Sequence, residues 1–209
     1  MLNRRALGSF ACALVIFYGI LIIPWPHFNQ LYGRYLQTIG NACFEKKSDQ
    51  RVIRFEASHD PLLDTNIVLA DPATADLAGN MRARILAFDS RGIGWIPTAL
   101  TLALILATPL PLHRRITSAL LGIVAVHAFI AFTLWVYVEN ESLQFFSPAR
   151  ESHSIILSQV GDALEAALVT QLGAGIIAAV LIWLSVSFRR TDWQNVLSPL
   201  QLAKKDELG

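Results

Sequence analysis

Residues 93–138 read IGWIPTALTLALILATPLPLHRRITSALLGIVAVHAFIAFTLWVYV. From Ile93 to Leu112, and again from Ile116 to Val138, there is no Asp, Glu, Lys or Arg; only His113, Arg114 and Arg115 separate the two stretches. A helix needs about 20 apolar residues to cross a hydrocarbon core about 30 Å thick. The sequence therefore predicts two membrane-spanning helices joined by a short basic turn. Pro97, Pro109 and Pro111 fall near the ends of the first stretch, where a helix already has unpaired backbone groups and tolerates a missing N–H.

Two further stretches have the same character, Ala6–Pro26 and Ala166–Phe188. The whole chain of 209 residues agrees with them: 54% hydrophobic, 16% charged and a mean hydropathy of +0.46. A soluble domain carries about 25% charged residues. With 17 basic against 16 acidic residues, neither a generally basic nucleic-acid binder nor an acidic disordered chain fits. The expected fold class is a membrane all-α protein: a four-transmembrane-helix bundle with a small extracytoplasmic α+β domain between helices 1 and 2. Its divisions are 1–26 (cytoplasmic N-terminus and first helix), 27–92 (external domain), 93–188 (three helices with an external loop over 139–162) and 189–209 (cytoplasmic tail). Arg4, Arg5, His113, Arg114, Arg115, Arg189 and Arg190 flank the apolar stretches. The positive-inside rule puts them, and both termini, on the cytoplasmic side of a bacterial inner membrane.

The polar segment reads as a domain. Phe28, Leu31, Tyr32, Tyr35, Leu36, Ile39 and Cys43 recur at helical spacing and predict an amphipathic helix on the membrane surface or over a sheet. In residues 52–57, Ile53, Phe55 and Ala57 alternate with Arg54 and Glu56, as in a half-buried strand. Residues 66–70 and the alternating 81–88 are two more strand candidates, with turns at Asp60-Pro61 and Asp71-Pro72.

Among residue patterns that carry chemistry, Arg91-Gly92-Ile93-Gly94-Trp95 stands out. An arginine at the outer interface suits a lipid phosphate or a partner carboxylate. Gly92 and Gly94 permit close backbone approach, and Trp95 reads as an interfacial anchor. His127 and Gln171 are polar groups inside apolar stretches, hence candidate intramembrane sites or helix-packing partners. Gly175 and Ala179 offer small-xxx-small spacing for close helix packing. Asp60, Asp64, Asp71 and Asp76 lack the spacing of a calcium loop and read as solvated loop acids. Cys12 and Cys43 read as unpaired. No catalytic set, metal set or cofactor is expected.

The layout resembles the small membrane proteins that accompany exosortases. The likeness rests on one basic-flanked apolar stretch, a strand-rich external segment, the run Arg91-Gly-Ile-Gly-Trp-Ile-Pro97 leading to Leu-Ala-Thr-Pro109, and a basic turn, over roughly residues 5–135. It implies a non-enzymatic accessory role in envelope protein sorting or exopolysaccharide export, beside the lipid bilayer and a larger, exosortase-like membrane partner, with no nucleic acid. The alternative is a membrane enzyme or carrier acting on a lipid-linked substrate at the outer interface, with Arg91 and His59 as its working residues.

Overall fold

The residue before a proline is pushed out of the helical region by the proline ring, and this sets the first structural fact. In the computed structural model, which describes residues 4–23, 28–44, 52–58, 60, 63–76, 79–146 and 172–188, Thr108 turns extended (φ −70°, ψ 130°) ahead of Pro109. Helix α3 therefore runs only over Ile96–Ala107. Its 12 residues span about 18 Å, well short of a hydrocarbon core. A π turn, Arg91–Trp95, leads into it. The other helices are α1 (Arg4–Ile22), α2 (Phe28–Phe44), α4 (Leu112–Phe146) and α5 (Leu172–Ser187).

The expected four-transmembrane-helix bundle is thus corrected. The described residues form five helices and a three-stranded antiparallel sheet. Among the described residues only α4, with 35 residues, is long and apolar enough to cross a membrane; the apolar parts of α1, α3 and α5 are shorter. The reason is physical. A charge-free stretch reports composition, whereas a span needs unbroken helix, and the Thr108-Pro109 step ends the second stretch four residues short of Leu112, leaving too few helical residues. Nor is the architecture all-α, because sheet and helices share one core.

Strands β1 (Val52–Ala57), β2 (Thr65–Asp71) and β3 (Arg82–Phe88) pair in sequence order. Phe55 faces Ile67 and Ile67 faces Leu86 across the ladder. One sheet face carries Ile53, Phe55, Thr65, Ile67, Leu69, Leu86 and Phe88, all buried. The β2–β3 connection is built from short-range caps. Asp71 accepts from the Ala73 N–H at 3.0 Å, Asp76 accepts from the Asn80 N–H at 2.8 Å, and Gly79 takes the left-handed φ of +81° that favours glycine.

Two helices cover the buried sheet face. From α2 come Tyr32 and Leu36; from α4 come Val126, Ile130, Leu134, Val138 and Phe145. The apolar segment expected to end at Val138 continues as helix to Phe146. This extension carries Glu141 to Arg84 at 2.9 Å, and Phe145 beneath the Arg82 guanidinium, 4.9 Å from the ring centre. Beyond the sheet, α3 lies innermost, against α1, α4 and α5; its Ala99, Ala103 and Ile105 are fully buried. Gly122 of α4 lets it close on α3, since a Cβ there would lie 2.7 Å from the Ile105 side chain.

Candidate functional site

The Arg91–Trp95 segment singled out in the sequence sits where β3, the end of α1, the start of α2 and the start of α3 converge. Its path is held by two carboxylates. Asp89 turns back on the backbone: Oδ1 accepts from the Arg91 N–H and Oδ2 from the Gly92 N–H, each at 3.0 Å. This satisfies N–H groups that a helix start leaves unpaired. Asp64, from the residue before β2, accepts from the Ser90 N–H at 2.9 Å and from the Ser90 hydroxyl. Gln37 of α2 donates to the Asp64 carbonyl and the Thr65 hydroxyl, at 3.3 and 3.2 Å.

Arg91 and Trp95 both reach α1. The Arg91 guanidinium donates to the Ile22 carbonyl and the Trp95 indole N–H donates to the Leu21 carbonyl at 3.0 Å. The last carbonyls of a helix have no intrahelical donor and carry its negative dipole end, so a cation there is stabilising. The two side chains therefore cap α1. The same device recurs at the opposite end of the helices. Arg114 donates to the Ser187 carbonyl closing α5 (3.0 Å), and Arg115 to the Thr108 carbonyl just past α3 (3.3 Å).

Around the junction lies an aromatic cluster. Trp95 meets the Phe28 ring at 4.5 Å and the Tyr32 ring at 5.7 Å, and Tyr32 meets Tyr35 at 5.7 Å. Gly94 is required by this approach: a Cβ there would stand 2.5 Å from the Tyr32 oxygen. Burial pushes the Tyr32 phenol up to about 12, opposed by the Thr98 hydroxyl and reinforced by Tyr35. Gly92 packs on the Asp89 carboxylate, 3.1 Å from where its Cβ would be.

The other sequence candidates are placed apart from this cluster or beside it. His127 donates from Nδ1 to the Ile123 carbonyl of its own helix at 2.8 Å, and its ring stands edge-on to Tyr35 at 5.7 Å. Gly175 packs on Pro97 of α3, whose Cβ lies 3.5 Å from where a Gly175 Cβ would be, and Ala179 is fully buried. The small-residue face of α5 is thus used within the chain. Gln171 and His59 lie outside the described residues, as do Ala166–Gln171, residues 147–162 and the tail from Arg189. Cys12 and Cys43 are exposed and free. No cluster of three His, Cys, Asp or Glu suited to a metal occurs among the described residues.

Sequence reasoning took Asp64 for a solvated acid and did not single out Ser90, Gln37 or Asn41. Asn41 of α2 holds the Phe55 backbone at both groups: its amide donates to the carbonyl at 2.9 Å, and its Oδ1 accepts from the N–H at 2.7 Å. No signal marked it, because Asn41 lies among Gln30, Arg34 and Gln37 on the polar side of the helix. No protein-family model, no curated protein and no solved structure matches the chain.

Proposed function

We propose that the chain is a membrane-anchored, non-catalytic accessory protein of a bacterial envelope protein-sorting or exopolysaccharide system of the exosortase type. In this reading the apolar part of α4 is set in the inner membrane from the basic turn onward, and α2 with the sheet packs on its outer half, where a larger membrane protein docks. One observation carries the reading. Only 33% of the most apolar stretch of α4 is buried within the chain. Leu120, Leu121, Val124, Phe132 and Trp135 of α4 point outward, as do Val15, Ile16 and Ile20 of α1 and Ile177 and Leu181 of α5. Contiguous apolar surface on this scale needs lipid or protein against it. The basic turn His113-Arg114-Arg115 marks the cytoplasmic end of α4, and the helix reaches the sheet at its other end. Arg91 takes a structural role in this reading, tying the π turn to the end of α1.

The test uses the full chain in bacterial membranes. Alkaline carbonate washing is expected to leave it in the pellet. Crosslinking and purification in mild detergent are expected to bring down a larger membrane protein joined to residues 27–92. Release into the wash overturns the anchoring, and recovery of this chain alone overturns the accessory role.

A further inference from the structure

The two outer strands of the sheet present their backbones differently, and the register shows which groups remain open. Phe55 turns both its N–H and its C=O away from β2, toward Asn41. Phe55 and its partner Ile67 are therefore a non-hydrogen-bonded pair, and Ile67 must turn its own groups toward Leu86 on β3. Arg84, Leu86 and Phe88 thus bond inward to β2. Ala83, Ile85 and Ala87 point three N–H and three C=O groups outward from the sheet. Among the described residues no hydrogen bond meets them. All three side chains are exposed, Ile85 at 63%. Such an edge is a template for another strand.

We infer that the β3 edge pairs with the β3 edge of a second copy of this chain, antiparallel about a two-fold axis through Ile85. The pattern of the strand is what selects this occupant. With Ile85 opposite its own copy, Ala83 falls opposite Ala87, and all the outward N–H and C=O groups are matched. The residues between them fall as Arg84 opposite Leu86 and Arg82 opposite Phe88, so no arginine faces an arginine. Like charges directly opposed destabilise a strand pair, whereas β-branched pairs stabilise it. On the open face the two Ile85 side chains meet, flanked by the small alanines. The inner face needs no rearrangement, because Arg82 and Arg84 are already held by Phe145 and Glu141 of their own chain. A continuous six-stranded sheet results. This pairing is independent of the accessory reading.

The test uses the full chain in mild detergent with Cys12 and Cys43 changed to Ser, since both native thiols are exposed. Residues facing each other in a hydrogen-bonded antiparallel pair have α-carbons about 5.5 Å apart, within the disulfide range of about 4.4–6.8 Å. Ile85→Cys is expected to oxidise to a covalent dimer of twice the 23.1 kDa chain mass. Ala83→Cys alone is expected not to crosslink, but to crosslink when mixed with Ala87→Cys. Without any added cysteine, Ile85→Lys places two ammonium groups on the axis. It is expected to halve the mass measured by light scattering while leaving the circular dichroism spectrum unchanged. The inference is overturned if Ile85→Cys stays monomeric, if Ala83→Cys crosslinks to itself equally well, if Ile85→Lys keeps the dimer mass, or if Ile85→Cys joins a different protein instead.

Discussion

Strands β1 and β3 are both outermost in the same sheet, yet one edge is closed at its centre and the other is open along its length. On β1 a single asparagine supplies a donor and an acceptor to Phe55, doing at that residue the work of a fourth strand. It can do so because Gly40 lets α2 come close: a Cβ there would lie 2.6 Å from the Phe55 ring. On β3 the helix that approaches, α4, covers the inner face through Glu141 and Phe145 but not the outward backbone of Ala83, Ile85 and Ala87. The contrast shows that covering a sheet face and closing a sheet edge are separate problems. A helix solves both only where it carries a short amide at the right turn and a glycine beside it.

The closed edge should be the sensitive one. Phe55 is 3% exposed and stacks on Phe44 at 5.8 Å. Phe55→Ala is expected to cost about 3–5 kcal/mol, the usual range for emptying a core aromatic site, read as a lowered thermal midpoint by circular dichroism. Asn41→Leu keeps the side-chain bulk and removes only the two hydrogen bonds. The orphaned Phe55 N–H and C=O should cost about 1–3 kcal/mol. An unchanged midpoint in Asn41→Leu would mean water replaces the amide freely, and the β1 edge would then be no more closed than β3.

Part of this contrast was legible in the sequence. The alternation of Ile53 and Phe55 with Arg54 and Glu56 marked β1 and its buried face, and 66–70 and 81–88 marked the other strands within a residue of their observed limits. The lining of α2 was not legible. The apolar stripe included Leu31 and Tyr35, which are exposed, while Gly33 and Gly40 form part of the buried face. A count of hydrophobic side chains cannot see a face that is buried because it lacks them. Likewise Arg84 lies on the core side of β3 because Glu141 arrives from a distant helix, which local alternation cannot register. The Arg91–Trp95 junction was visible as an unusual segment, but its partners were not. The carbonyls of Leu21 and Ile22 are backbone atoms, and backbone acceptors leave no mark in residue identity. Helix length is a separate matter: Pro109 does mark the end of the helix, but the residues before it are too few to make a span.

The open edge gives the smallest expected effect and the sharpest control. Ile85 is exposed, and its N–H and C=O turn away from β2, so within one chain its side chain supports little beyond its own strand propensity. Ile85→Thr keeps the branched Cβ that favours extended backbone. At a protein concentration low enough to hold chains apart, its thermal midpoint should correspond to a change within about 0.5 kcal/mol of the parent. A loss comparable to that of Asn41→Leu under those conditions would show that Ile85 already packs against its own chain. The β3 edge would then be closed by a route other than Asn41's, and the asymmetry between the two edges would disappear.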